Sequence, residues 1–240
     1  MKANRPIKAI IRKEFSGHFY SLTAYIFIVV FLVAIMFLFF DQFFLIKQTS
    51  MRVFFSLVPW FMMFLIPALS MRIWSEEKKY GTDESLLTLP ISDLQIVVAK
   101  FFGSFLFIGV LLLFSLTLPI TLSKIGDLDW GPVIGAYLGA WLLGGAYLSL
   151  GQYISALTKN MIVAYLVTIA AAFIFLILGF PFVLQKTGEL SAVFYTLSTI
   201  THFENMSKGV IDLRDIVYYI SFISIFLYLN LYSITRRYWK

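Results

Sequence analysis

The chain has 240 residues, of which 60% are hydrophobic and 13% are charged, and its formal net charge is +6. Soluble domains carry roughly 25% charged residues, and one compact core cannot bury 26 phenylalanines and 13 tyrosines. This composition excludes an ordinary soluble fold, and we expect an integral membrane protein. The basic residues are spread over several loops, which favours a membrane protein and argues against nucleic-acid binding.

The first segment, RPIKAIIRKEFSGHFY, predicts an amphipathic helix within residues 1–20. Apolar side chains recur there at helical spacing, at Ile7, Ile10, Ile11, Phe15 and Phe19. Basic residues occupy other positions, so we expect this helix to lie in a membrane interface. The alternative is a frayed basic tail.

Six apolar runs predict an all-α, polytopic membrane protein in one domain over residues 1–240. Each run is near the ~20 residues that cross a bilayer as a helix. The runs lie at approximately 22–40, 53–71, 97–122, 133–157, 161–184 and 216–235. They lack the apolar and polar alternation of a β-barrel, and no signal-peptidase site follows the first run.

The distribution of lysine and arginine predicts the orientation. With a cytoplasmic N-terminus, the cytoplasmic side holds 13 of the 19 basic residues. We therefore expect both termini in the cytoplasm.

The fourth run contains a G-x-x-x-G pattern at Gly135 and Gly139, and Ala140 and Gly144 have the same spacing. Small residues let helix backbones approach closely in lipid. The pattern favours packing within one subunit, with a dimer seam as the alternative.

The segment between the last two runs, residues 185–215, is the longest predicted extracytoplasmic piece. Its portion LSAVFYTLSTITHF is apolar but too short to cross a bilayer. We expect it to be re-entrant or interfacial.

Residues 72–95, RIWSEEKKYGTDESLLTLPISDLQ, predict a rigid cytoplasmic helical hairpin between spans two and three. Gly81 suits a helix C-terminus, Thr82 suits the start of the next helix, and Pro90 ends that helix. Ser92 and Gln95 match a capping box. A docking surface is the favoured interpretation, and a solvated connector is the alternative.

Several kinds of chemistry are missing from the sequence. The chain has no cysteine, no phosphate-binding loop and no hydrolase motif, and we expect no catalytic residue. His18 and His202 fall on opposite sides of the predicted topology, which excludes a metal site made from this pair. Lys100 is essentially the only ionisable residue within the runs, which disfavours a proton- or ion-coupled carrier.

Two segments resemble type-2 ABC transporter permeases. The stretch WSEEKKYGTDESLLTLPISDLQ, followed by Lys100, is similar to the signature of that family. The stretch THFENMSKGVIDLRDIVYYISF at 201–222 is similar to one branch, which contains the gliding-motility permease and the nitrous-oxide-reductase maturation permease.

This resemblance implies a bacterial inner-membrane subunit that pairs with a second permease chain and with two cytoplasmic ATPase subunits. ATP and Mg²⁺ would bind the ATPases, so this chain would hold no cofactor. Residues 5–20 would be the elbow helix of the family. The implied ATPase-coupling residues are Glu76, Glu77, Gly81, Thr82, Glu84 and Pro90. The implied fold-shaping residues of the outer motif are His202, Phe203, Gly209, Asp212, Arg214 and Asp215.

The sequence thus predicts the permease subunit of an ATP-driven transporter surrounded by lipid. The rival hypotheses are a non-transporting membrane scaffold and, third, an ion-coupled secondary carrier. The scarcity of charge within the runs favours a lipid-like or mechanically moved cargo.

Overall fold

A computed structural model describes residues 4–20, 22–46, 50–83, 91–186 and 188–236. The regular structure within these ranges is helical and contains no strand. The prediction of an all-α fold is therefore confirmed for the described part of the chain.

The described residues form α-helices in the following order. Their bounds are α1 (Asn4–Tyr20), α2 (Leu22–Ile46), α3 (Arg52–Ser70), α4 (Arg72–Tyr80), α5 (Asp93–Ser115), α6 (Thr117–Ile125), α7 (Trp130–Leu157), α8 (Met161–Ile177), α9 (Pro181–Lys186), α10 (Ser191–Leu197), α11 (Thr199–Ser207) and α12 (Leu213–Thr235). A short 3₁₀ helix, Gly188–Leu190, precedes α10.

Helix α7 lies at the centre of the bundle. It packs against α3, α5, α8, α11 and α12, and nearly every side chain from Leu143 to Ala156 is buried. The helix is apolar on all sides, as expected of a helix that is surrounded by others. The side chain of Asp129 accepts a hydrogen bond from the Gly131 N–H and so caps its first turn.

The glycines of α7 are the points of closest helix contact. A Cβ atom at Gly135 would collide with the Met206 carbonyl oxygen of α11, and one at Gly139 would lie 3.2 Å from a Phe203 ring carbon. A Cβ at Gly144 would lie 2.9 Å from Ile108 of α5. The G-x-x-x-G pattern therefore packs α11 within the same chain.

The prediction of six spans is not confirmed. Among the described residues, four helical stretches are long and apolar enough to cross a membrane: Arg52–Tyr80, Asp93–Ile125, Trp130–Leu157 and Leu213–Thr235. A fifth candidate arises only if Ile7–Tyr20 and Tyr25–Asp41, which meet at a bend of 67°, are counted together.

The predicted run at 161–184 is divided in the structure, because α8 ends at Ile177 and Pro181 begins α9. A close approach explains the break. A Cβ at Gly179 would overlap the hydroxyl of Ser198, so the turn fits tightly against the α10–α11 junction.

The predicted outer segment, residues 185–215, has two parts. Its first part, up to Leu197, has no buried side chain among the described residues of its helices. Its second part contains α11, which is largely buried against α7.

We predict that Gly135→Ala destabilises the protein, because the added methyl group cannot fit against the backbone of α11. Overpacking of this kind costs about 1–3 kcal/mol. Thermal unfolding in detergent measures the effect. The matched control on the same helix is Gly131→Ala, whose Cβ would meet only the Asp129 side chain, at 3.4 Å. Equal melting temperatures for the two variants would contradict this packing.

Candidate functional sites

Two polar clusters lie at opposite ends of the bundle. The α1 end contains α1, α4, the first turns of α5 and the last turn of α7. The α11 end contains α11 and the first turns of α3, α7 and α12.

Helix α4 ends where the sequence predicted. Gly81 adopts a left-handed conformation with φ of 70°, and its N–H bonds to the carbonyl oxygen of Glu77. The predicted helix C-terminus is thereby confirmed. The hydroxyl of Thr82 donates to the same Glu77 carbonyl at 3.4 Å. Glu84 and Pro90, which belong to the second arm of the predicted hairpin, lie outside the described residues.

Helix α4 is bonded to the last turns of α7. The hydroxyl oxygen of Ser155 accepts hydrogen bonds from the backbone N–H groups of Trp74, at 3.1 Å, and Ser75, at 3.0 Å. These N–H groups belong to the first turn of α4. Backbone N–H groups in the first turn of a helix have no carbonyl partner within that helix. The Lys78 ammonium donates to the Ala156 carbonyl oxygen. Helix α4 is therefore a fixed extension of the bundle.

Helix α5 begins with the predicted capping box. The Ser92 hydroxyl accepts from the Gln95 N–H at 3.4 Å, and the Gln95 side chain accepts from the Ser92 N–H at 3.3 Å. This prediction is confirmed. The box fixes the start of the helix that carries Lys100.

Lys100 is 1% exposed and joins three helices. Its ammonium donates to Glu77 Oε1 at 2.6 Å, to Glu14 Oε1 at 3.2 Å and to the Ile73 carbonyl oxygen at 3.1 Å. An ammonium has three N–H donors, so each of them has one acceptor here. The ammonium also lies 4.9 Å from the centre of the Trp74 ring.

The sequence analysis singled out Glu77 and Lys100 but missed Glu14. A signal for Glu14 was present in the sequence. It lies seven, four and three residues after Ile7, Ile10 and Ile11, so it shares their face of α1. An acidic residue on the apolar face of a helix indicates a buried cationic partner.

Helix α1 packs closely on α5. A Cβ at Gly103 would lie 2.6 Å from the Glu14 Cβ and 3.1 Å from the Ile11 carbonyl oxygen. The predicted helix is present, whereas its location in a membrane interface stays a prediction. His18, one turn after Glu14, lies 3.0 Å from the Ser104 hydroxyl and stacks on Phe107.

Burial lowers the pKa of His18 below its usual 6.5. The charge of Glu14 opposes this shift, and that of Arg72 adds to it. The folded protein therefore favours a neutral imidazole, which matches the apolar contact with Phe107.

A cavity of about 470 Å³ lies between α1, the end of α3, α4 and α5. Its walls carry charged groups of both signs. They include Lys13, Glu14, Arg72, Glu76, Glu77 and Lys100.

The cluster at the α11 end is built around His202. Its Nδ1 lies 2.6 Å from Asp215 Oδ1, and its Nε2 lies 3.1 Å from the Thr196 carbonyl oxygen. The ring also stacks on Tyr218 with centroids 3.9 Å apart. Asp215 is only 2% exposed and has a hydrogen-bond partner in His202.

The other residues of the outer motif shape the chain around this pair. Phe203 is buried against α7, and Gly209 adopts a φ of 86° in the turn before α12. The Asp212 carboxylate accepts from the Arg214 N–H at 2.9 Å and caps α12. The structure therefore brings His202, Phe203 and Asp215 into the interior, whereas Arg214 stays exposed.

Two tyrosines that the sequence analysis missed complete the outer cluster. The Tyr218 hydroxyl donates to the Leu197 carbonyl oxygen at 2.6 Å, and that of Tyr219 donates to the Thr199 carbonyl oxygen at 2.8 Å. The first bond attaches α12 to the end of α10, and the second attaches it to the start of α11.

A second cavity, of about 760 Å³, opens at the α11 end. Its walls combine aromatic rings with charged side chains of both signs. They include Arg52, Trp60, Asp129, Phe180, Phe203 and Glu204.

Neither cluster resembles a metal centre. Within the described ranges, no group of three or more histidine, aspartate or glutamate side chains could hold a metal ion. Instead, the clusters join helices through buried polar and charged side chains.

A family model described as "ABC-2 family transporter protein" matches residues 8–237. No curated protein matches the chain. The family model covers both polar clusters and all the helices that connect them.

We predict that His202→Leu destabilises the protein by about 1–3 kcal/mol, because it leaves the buried Asp215 side chain without its histidine hydrogen-bond partner. The midpoint of chemical unfolding in detergent measures the loss. The control from the same motif is Asp212→Asn, since asparagine caps a helix as well as aspartate does. A His202→Leu variant as stable as this control would show that the pair contributes little.

We predict that acidification destabilises the folded chain through His18. Its pKa is lowered in the folded state, so below about pH 6.5 the unfolded chain binds more protons. The free energy of unfolding should therefore fall as the pH drops through this range. The slope of melting temperature against pH should be smaller in a His18→Gln variant. An unchanged slope would exclude His18 as a source of the pH dependence.

Proposed function

The chain belongs to the ABC-2 transporter family, and from this membership we propose that it is the transmembrane permease subunit of an ATP-driven transporter. The observation that carries the proposal is the joining of α1, α4 and α5 at one end of the bundle through Lys100. A partner that pushes on α4 there acts on a rigid part of the permease. The phosphate-binding loop that the sequence lacks would belong to that partner.

The surface for the ATPase is the exposed side of α4 and the turn after it. Lys79, Tyr80, Gly81 and Thr82 are exposed, and Glu76 is half-buried. Glu77 differs from these residues because it is bonded to Lys100 inside the protein. We assign contact with the ATPase to Glu76, Gly81 and Thr82, and transmission of the movement to Glu77. Glu84 and Pro90 complete the proposed coupling set.

The proposed mechanism follows from the bonds of α4. When two ATPase subunits close on ATP and Mg²⁺, they displace α4. Because Ser155 and Lys78 fix α4 to the end of α7, the central helix must follow. Packed helices of this kind move as rigid bodies between discrete arrangements. The spans would thereby change access, or exert force, across the membrane.

The remaining parts of the proposal concern location and assembly. The basic α1 end would face the cytoplasm of a bacterium, and the α11 end would face the outside of its inner membrane. The exposed apolar faces of α2, α8 and α12 would contact lipid or a second permease chain. We place the chain in the branch of the gliding-motility and nitrous-oxide-reductase maturation permeases on the two resembling motifs.

The cargo class rests on the lack of charge along the membrane. Lys100 lies near one end of its helix and is engaged by two carboxylates, so it is not available to an ion in transit. The cavity at the α11 end combines aromatic and charged walls. These features favour an amphipathic, lipid-like or mechanically moved cargo.

We predict that a Glu76→Lys/Thr82→Lys variant loses capture of candidate ATPase subunits. Both positions lie on the proposed contact surface, so two added lysines should disturb its charge and shape complementarity and weaken capture about tenfold or more without unfolding the permease. Co-purification in detergent, followed by an ATPase assay, measures the loss. The control is Glu189→Lys, because Glu189 is exposed and lies far from α4, near the α11 end of the bundle.

Three outcomes separate the hypotheses. Selective loss of capture supports the coupling surface. If the native chain captures an ATPase whose hydrolysis never drives transport, the scaffold hypothesis is favoured. If transport persists without ATP but stops when an ion gradient collapses, the chain is a secondary carrier.

A further inference from the structure

We propose that Lys100 is a positioning residue that joins α1 and α4 into one moving body. This inference deepens the proposed function, on which it rests for the source of the movement. The joint itself is a property of this chain and can be tested without any partner.

The packing shows why such a joint is required. Helix α1 packs mainly on α5, and α4 packs mainly on the end of α7. Between α1 and α4 lies the cavity of about 470 Å³. Apolar contact across that space therefore cannot hold the two helices together. The Lys100 ammonium bridges the space, because it bonds Glu14 on α1 and Glu77 on α4.

The charges make the bridge strong. One buried ammonium serves two carboxylates, whose side chains are 18% and 17% exposed. Withdrawal of either carboxylate would leave buried charge with fewer partners, which is energetically costly. The third N–H of Lys100 bonds the Ile73 carbonyl oxygen and so adds a second contact with α4. The ammonium cannot rotate away without losing one of these bonds.

The chain connection then sets where the movement goes. Helix α2 begins at Leu22, two residues after α1 ends at Tyr20. A displacement of α4 that carries α1 with it also reaches α2. This route runs along the side of the bundle and is separate from the route through Ser155 to α7. Lys100 therefore distributes one push between two parts of the permease.

The natural absence of cysteine allows a direct test by paired spin labels. One label is attached at Gly17→Cys on α1, where a new side chain meets nothing within 4 Å. The other is attached at Tyr80→Cys on α4, which is 66% exposed. The distance distribution between them is measured by pulsed electron paramagnetic resonance on the full chain in lipid nanodiscs.

Three backgrounds isolate the joint. The first is the native cluster, and the second is Lys100→Met/Glu14→Gln/Glu77→Gln, which removes all three charges while keeping similar shapes. The third is Lys78→Met, a control that removes another buried lysine of α4, one that bonds α7. We expect a narrow distribution in the native and Lys78→Met backgrounds and a broad one in the neutral triple variant. Equal widths in all three would overturn the proposal.

A single substitution keeps the test decisive if the triple variant does not fold. Glu14→Gln releases only the α1 side of the bridge, and Glu14 is partly exposed. We expect the distribution to broaden, and an unchanged distribution in this folded variant would likewise overturn the proposal.

A second distance measurement, made with and without nucleotide, tests this inference separately from the proposed function. Labels at Gly17→Cys and Lys159→Cys report the position of α1 against the α7–α8 connection. With the ATPase bound, the native distance should change between the nucleotide-free and ATP-trapped states, and the triple variant should lose that change. A pair at Tyr80→Cys and Lys159→Cys reports α4 in the same way. If this distance changes with nucleotide while the distance from Gly17→Cys to Lys159→Cys does not, transmission through Lys100 is overturned. If neither helix moves, the proposed function fails, and the partner-free widths still decide the joint.

Discussion

Close backbone packing along α7 is the constraint on which the rest of the structure depends. Lipid tails are as apolar as leucine, so helices in a membrane associate through tight contact at small residues. Gly135 admits the backbone of α11, Gly144 admits a side chain of α5, and Gly151 admits Ser70 of α3. These three contacts set the positions of the helices that carry the polar clusters. The central helix contributes few charges, yet it determines where the charged groups meet.

The two clusters use buried charge in the same way but at different distances along the chain. At the α1 end, residues separated by 86 and 23 positions meet on one ammonium. At the α11 end, His202 and Asp215 are 13 positions apart and meet across a single turn. Both clusters lie near the ends of the long helices, and the described helix segments between them carry no aspartate, glutamate, lysine or arginine. This distribution avoids the high cost of charge at the centre of a bilayer.

The sequence predicted local features well because their causes are local. The left-handed Gly81 and the capping box of Ser92 and Gln95 each depend on a few neighbouring residues. The spacing of Gly135 and Gly139 predicted a close helix contact, but it did not identify Met206 of α11 as the partner. The apolar face of α1 indicates that Glu14 has a buried cationic partner, but no local pattern identifies that partner as Lys100, which lies 86 residues away. The count of six spans is not confirmed, and one reason is that mean hydropathy over 161–184 does not register the turn that Gly179 makes against Ser198. The coupling roles of the docking residues rest on family resemblance.

The weak burial of α12 has a consequence for biosynthesis. Only 17% of the most apolar stretch of this helix is buried in the chain, and most of its contacts are with α7. The chain emerges from the ribosome N-terminus first, and α11 is therefore complete before α12 is made. The bonds from Tyr218, Tyr219 and Asp215 to the α10–α11 region can form only when this last helix has inserted. Until then His202 lacks its partner Asp215. In a nascent permease that stops at this stage, the imidazole of His202 therefore stays without this hydrogen bond.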